Sequence, residues 1–251
     1  MGEALVLTER HGGVVLLTLN RPKARNAMNV ELAAATCEAI ESSQDAACIV
    51  LTGADPAFCA GLDLRSLGVD SLMALPPFNK AATDSAVPII AAVNGPAVTG
   101  GFELALCCDF IIASERAAFA DTHLRVHVYP GPVLVELPRR VGMAWARQMS
   151  LTGDFVDAAT ALRIGLANEV VPHEQVVPRA LQLAAAIAEQ DREMVSTMRR
   201  DWDLSMGVPV AEGHRIHTEF GARFAAQTDA AGLASHGDTV MARSRQQRSS
   251  S

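Results

Sequence analysis

Residues 94–104 read Asn94-Gly95-Pro96-Ala97-Val98-Thr99-Gly100-Gly101-Phe102-Glu103-Leu104. An apolar run over residues 87–93 leads into this segment, and Asn94-Gly95-Pro96 is a turn signature that stops it. Gly100-Gly101 opens a helical stretch over residues 102–107, and a second short apolar run follows at 110–113. Strand, helix and strand in this order predict right-handed crossovers in a largely parallel sheet, with sites near the strands' C-terminal ends. Gly95 and Gly100 have the spacing of a phosphate loop, but Gly101-Phe102 stands where Lys-Ser/Thr is required. No Gly-x-Gly-x-x-Gly occurs either, so both nucleotide motifs fail on residues. A glycine pair at a helix start leaves backbone N–H groups pointing outward, backed by the positive end of the helix dipole. A second N–H converging on the same point would complete an oxyanion hole, although most such pairs are simply turns.

Toward the N-terminus, residues 4–8 and 14–19 read as two strands around His11-Gly12-Gly13, a hairpin-like start. A turn at residues 21–26, a helix over 30–40 and a short buried strand over 47–51 follow. A second glycine-bearing loop is Phe58-Cys59-Ala60-Gly61-Leu62-Asp63-Leu64. Beyond Pro132 the patterns at 133–139, 144–151, 157–164, 175–189 and 208–225 are helical, with one β-like run at 168–171. The expectation is an α/β core followed by a helical region. In that region Val210, Ile216, Phe220 and Phe224 form an apolar stripe able to cover a pocket or pack between subunits. The Arg- and Ser-rich tail after Asp238 is expected to end in a mobile stretch.

Composition narrows the function classes. The chain has 251 residues, 49% hydrophobic and 20% charged, which suits a soluble globular protein with a sizeable core. A net charge of −7 argues against a nucleic-acid or anionic-membrane surface, and a single Tyr offers little for base stacking. The longest apolar stretch, at 87–93, is too short to span a bilayer. Cys37, Cys48, Cys59, Cys107 and Cys108 are odd in number and form no Cys-x-x-Cys pair. With no signal peptide evident, reduced cysteines and a cytoplasmic location are expected.

Three segments, in order and at matching spacing, resemble the enoyl-CoA hydratase/isomerase (crotonase) family. They are Asn20-Arg21-Pro22-Lys23-Ala24-Arg25-Asn26-Ala27-Met28, Ala57-Phe58-Cys59-Ala60-Gly61-Leu62-Asp63-Leu64, and residues 91–105 with Gly100-Gly101-Phe102-Glu103. Phe119, Pro130-Gly131, Leu151-Thr152-Gly153 and residues 158–171 continue the match, which runs over about residues 4–205 and fits poorly beyond. The resemblance implies an α/β fold: a spiral core of β-β-α units over residues 1–200 binding an acyl-CoA thioester. Residues 201–251 would form a helical C-terminal region for pocket cover and oligomerisation. It also implies a homotrimer or a dimer of trimers, no metal, and no cofactor beyond the coenzyme A that is part of the substrate.

Carried over residue by residue, the resemblance places the Leu62 and Gly100 N–H groups on the thioester oxygen. Loss of one such donor typically costs about 3–4 kcal/mol of transition-state stabilisation. It places Ala27, Ala60, Gly61, Leu62, Asp63, Leu64 and Gly101 along the CoA path, with Arg25 as a partner for its phosphates. Glu103 matches one of two hydratase glutamates and would be the general base; the plain alternative is an acid favoured by the dipole in a helix's first turn. The second glutamate belongs to a Phe-Gly-x-Pro-Glu segment. Here that segment is Phe119-Ala120-Asp121-Thr122-His123, with His123 at the glutamate's place. Histidine can serve as an acid near neutral pH, and Asp121 is a nearby carboxylate whose direction pattern alone does not give. Both could equally be wall or surface residues. Tyr129 beside Pro130-Gly131-Pro132 could donate a hydrogen bond or simply pack. His123 and His127 lack a third ligand for a metal. The leading expectation is hydration of a trans-2-enoyl-CoA; double-bond isomerisation and a non-catalytic acyl-CoA binder remain as rivals.

Overall fold

A computed structural model describes residues 4–64 and 75–225, with side chains described to residue 222. It divides into two compact units, Met1–Gln190 and Asp191–Ser251. The first is built on a six-stranded sheet of order β1-β2-β3-β4-β6-β9. Its strands are β1 (Val6–His11), β2 (Val14–Leu19), β3 (Cys48–Gly53), β4 (Ile89–Val93), β6 (Phe110–Ser114) and β9 (Glu169–Val171). Only the opening hairpin is antiparallel; every other pairing is parallel.

The parallel strands form where the sequence is continuously apolar because both faces of the sheet are covered. One row runs Leu17, Leu51, Ala91, Ile111 across four strands, and the adjacent row runs Leu16, Val50, Ile90, Phe110. The first row belongs to a core shared with α1 (Val30–Glu41) through Leu32, Ala33 and Ile40. Leu16, Val50 and Ile90 of the second row meet Val176, Ala180 and Ala184 of α6 (Val176–Ala188) on the opposite face. Asn29 caps α1 by accepting from the Leu32 N–H at 3.0 Å.

Between these elements lie α2 (Phe78–Thr83), α3 (Gly100–Leu106), α4 (Val133–Thr152) and α5 (Ala158–Arg163). A small second sheet joins β5 (Ala97–Val98), β7 (Ala118–Ala120) and β8 (Val156–Asp157). The sequence patterns at 133–139 and 144–151 are two halves of α4, separated by Gly142 at φ 76°, ψ 162°. The second unit contains α7 (Arg192–Ser205) and α8 (Val210–Ala225), which pack on each other. The sequence reading did not foresee α7: its apolar residues Met194, Met198 and Trp202 recur at helical spacing, but they are exposed, stand among Arg199, Arg200, Asp201 and Asp203, and the helix buries no residue. In the expected α8 stripe Val210 is exposed, Ile216 and Phe220 are partly buried, and the Phe224 side chain lies outside the described residues, as does the tail after Asp238. Among the described residues no helix is long and apolar enough to cross a membrane.

Short backbone pairings bring distant motifs side by side. Met28 bridges Leu62, Cys59 bridges Ala97, and Ala97 pairs with Phe119. Residues near 28, 59–62, 97–101 and 119–123 therefore lie side by side in the first unit.

Candidate active site

Gly101 shows how tightly the glycine loops meet. A Cβ there would lie 2.3 Å from the Cys59 carbonyl oxygen and 2.7 Å from its sulfur, so only glycine allows the approach. Gly61 adopts φ +100°, a conformation that side chains disfavour, and packs against Val98 and Thr99. Thr99 itself stands at φ 52°, ψ −116°, strained for a β-branched residue. Its N–H donates to Ala120 O at 2.8 Å, and its hydroxyl meets that of Thr122 at 2.5 Å. The strain is thus held by β7 and the segment leading to His123.

This bracing fixes the two backbone donors. The Met28 N–H donates to Gly61 O at 2.7 Å and the Asp63 N–H to Met28 O at 2.8 Å, which turns the Leu62 N–H to the opposite side. Gly100 adjoins Leu62: a Cβ on it would lie 3.3 Å from the Leu62 side chain. Neither the Leu62 nor the Gly100 N–H has an acceptor among the described residues. Both residues line a cleft of about 560 Å³ together with Phe78, Glu103, His123 and Tyr129.

Glu103 enters the cleft from the first turn of α3. It is 5% exposed. Its Oε1 accepts from the backbone N–H groups of Gly131 (2.9 Å) and Val133 (3.3 Å), the latter at the start of α4. Oε2 accepts from Asn79 Nδ2 at 3.2 Å and lies 3.8 Å from His123 Nε2. Burial pushes the Glu103 carboxyl above the usual range, against the opposing pull of His123 and the two backbone donors.

His123 is buried, and its Nδ1 is 2.6 Å from Asp121 Oδ1. Burial raises the Asp121 carboxyl, but hydrogen bonding from His123 and Ser150 and the charge of His123 outweigh it, leaving Asp121 below the usual range. An ionised Asp121 can only accept, so Nδ1 carries a proton and Nε2 faces Glu103. Of the alternatives left open by the sequence, a surface position is the one the structure removes: His123 lines the cleft, and it and Asp121 are buried and in contact. His127 is exposed and takes a left-handed conformation at the end of a short 3-10 turn. Tyr129 lines the cleft but is 86% exposed, with no packing role in the first unit's core.

A second cleft of about 630 Å³ adjoins the first through Leu62 and is lined by Lys23, Arg25, Ala27, Asp63 and Leu64. Ala60 lies behind it, donating its N–H to Arg25 O at 3.0 Å. Arg25 is exposed and has no side-chain partner among the described residues, whereas the Asp63 carboxylate is held by Arg21 at 3.0 Å. Gly101 lines neither cleft; it packs on Cys59. Three residues not foreseen from sequence organise the site. Asn26, fully buried, donates to Ala54 O and Ala57 O and accepts from the Arg21 N–H, pinning the Arg25 turn to the Cys59 loop. Arg21 anchors Asp63, and Asn79 holds Glu103. The buried Cys59 thiol is pushed up to about 12 by desolvation, so it is no nucleophile at neutral pH.

A parallel sheet covered on both faces, with two loop N–H groups and a buried carboxylate at one cleft, defines a crotonase-fold protein. The sequence matches the enoyl-CoA hydratase/isomerase family over residues 9–231, and the chain belongs to that family. It is similar to a probable enoyl-CoA hydratase of Rhizobium meliloti, 37% identical over 245 residues that cover 93% of this chain and 95% of that protein. Among solved structures, an enoyl-CoA hydratase from Mycobacterium smegmatis is 40% identical with a TM-score of 0.73, covering 89% of this chain and 99% of that one. Another from Bacillus anthracis is 26% identical with a TM-score of 0.87, covering 94% and 96%.

Proposed function

We propose that this protein adds water across the double bond of a trans-2-enoyl-CoA. The observation that carries the reading is the placement of the Leu62 and Gly100 residues on the same cleft wall as the buried Glu103–His123 pair. In this reaction the thioester oxygen takes hydrogen bonds from Leu62 and Gly100. Glu103 Oε2 removes a proton from water as the oxygen bonds to C3, and the π electrons move toward the thioester oxygen as an enolate. The enolate collapses by taking a proton at C2 from His123 Nε2, with Asp121 holding Nδ1–H and balancing the imidazolium charge. Glu103 has then gained a proton and His123 has lost one; transfer between Oε2 and Nε2 restores the pair. The steps are redox-neutral and call on no cofactor beyond the CoA of the substrate.

The CoA portion occupies the second cleft, with Arg25 at the phosphates and Ala27, Ala60, Gly61, Leu62, Asp63 and Leu64 along adenine and pantetheine. A homotrimer or pair of trimers extends the reading, supported by exposed Met198, Trp202, Met206 and Val210 on the second unit. A species that sediments as a monomer at micromolar concentration contradicts it. Free thiols at all five cysteines suit a reducing compartment such as the cytoplasm.

The test follows loss of the conjugated enoyl absorbance of crotonyl-CoA, with a 3-enoyl-CoA assayed in parallel. Hydration by the wild type that falls by about 10²–10⁴-fold in His123→Ala is expected. Conversion of the 3-enoyl substrate without any hydration product would replace this reading with isomerisation.

A further inference from the structure

Asn79 is only half explained by its contact with Glu103. It projects from α2 into the cleft, where Nδ2 donates to Glu103 Oε2. Its other polar atom, Oδ1, is buried and accepts no hydrogen bond among the described residues. Swapping the two ends of the amide does not remove the difficulty. An ionised carboxylate can only accept, so the NH₂ end must face Glu103 and the oxygen must face away from it. Buried acceptors without a donor are uncommon, and this one belongs to a side chain that lines the cleft beside a candidate base, where a small turn of the amide opens Oδ1 to a ligand that donates.

The chemistry of the site says which donor. Glu103 Oε1 is occupied by two backbone N–H groups, so Oε2 is the oxygen left to act, and Asn79 is bonded to that oxygen. A water molecule at Oε2 carries two protons. One is taken by Glu103 during attack; the other must point to a second acceptor if the water is to be oriented. We propose that Asn79 Oδ1 is that acceptor, orienting the attacking water and afterwards receiving a hydrogen bond from the 3-hydroxyl group it becomes. Asn79 takes no proton: one O–H bond of water breaks toward Glu103, the C3–O bond forms, and the remaining O–H stays directed at Oδ1. This inference rests on the hydration reading and adds a specificity: an acceptor at this place favours thioesters with a hydroxyl at C3 over those that are saturated there.

The experiment titrates 3-hydroxybutyryl-CoA and butyryl-CoA into wild type and Asn79→Leu, with the acyl-CoA composition read by chromatography at each point. Wild type is expected to prefer the hydroxyacyl ligand by about three- to tenfold, the range one hydrogen bond supplies. Asn79→Leu is expected to lose that preference while keeping its affinity for butyryl-CoA within about twofold, the signature of a lost hydroxyl contact with the pocket intact. Should the leucine variant bind neither ligand, Asn79→Ala carries the same comparison. An unchanged preference in the variant that binds, or no preference in wild type, overturns the proposal. A crotonyl-CoA hydration assay beside it separates the two ideas. Hydration with an unchanged preference sinks the Asn79 role alone, whereas a lost preference without hydration sinks the hydratase reading and leaves hydroxyl recognition standing.

Discussion

Replacing Glu103 by Gln removes one charge from a side chain that is 5% exposed and keeps its shape. The amide oxygen can retain the Gly131 and Val133 N–H bonds held by Oε1. Its NH₂ then faces Asn79, whose amide can turn to offer Oδ1, an atom that otherwise has no partner among the described residues. The wild-type carboxyl is raised in the folded state, mainly by burial. A raised acid stabilises the fold only below its unfolded value, near 4.3, and that contribution disappears as pH rises through the folded value. At pH 8 the wild type therefore carries a buried charge that the unfolded chain holds more cheaply in water. Glu103→Gln, which carries no charge to bury, is therefore expected to be more stable than wild type at pH 8. The gain shrinks toward pH 4. Loss of the base should meanwhile lower kcat for crotonyl-CoA by about 10²–10⁴-fold, or roughly 3–5 kcal/mol. Denaturant titrations at pH 8 and pH 4.5, with hydration rates on the same preparations, read both quantities. A variant that is less stable by the same margin at both pH values, with hydration intact, would make Glu103 a structural anchor and refute the reasoning.

Asp121→Asn should show the opposite pH sign. The Asp121 carboxyl lies below its usual range despite burial, through hydrogen bonding and the charge of His123. Its contribution is present above the unfolded value near 3.9 and lost as pH falls through the folded value. The variant should be about 1–3 kcal/mol less stable at pH 6 and converge on wild type in acid, as read by chemical denaturation. Gly101→Ala forces a Cβ to within 2.3 Å of Cys59 O, and should lose about 1–3 kcal/mol or more, read as a lowered Tm. Asn26→Ala leaves Ala54 O, Ala57 O and the Arg21 N–H without their partner. It should cost roughly 1–3 kcal/mol and, by loosening the Arg25 turn, raise KM for the acyl-CoA more than it lowers kcat.

The main sheet was legible because burial on both faces leaves continuous apolar runs such as those of β2, β3 and β4. Strands of two or three residues, β5, β7 and β8, have no such run, and the Met194, Met198 and Trp202 stripe of α7 is exposed and set among charged residues. Yet β5 and β7 are what set Thr99 beside Ala120 and His123 beside Glu103. Glycines told where backbones approach, at Gly61 and Gly101, but the strained φ falls on Thr99, a residue type that does not advertise it. Glu103 and His123 were readable as residues with chemistry. The direction of Asp121 and the half-used amide of Asn79 were not, because they follow from contacts between segments far apart in the chain.

The central claim is that water adds at C3 of an enoyl thioester. It is tested most directly by incubating the purified protein with crotonyl-CoA in ¹⁸O-enriched water and reading the product by mass spectrometry. The account predicts a 3-hydroxybutyryl-CoA carrying ¹⁸O at C3, formed at a rate that collapses in Glu103→Gln. Crotonyl-CoA recovered unchanged and unlabelled, from protein that binds it, would contradict the account.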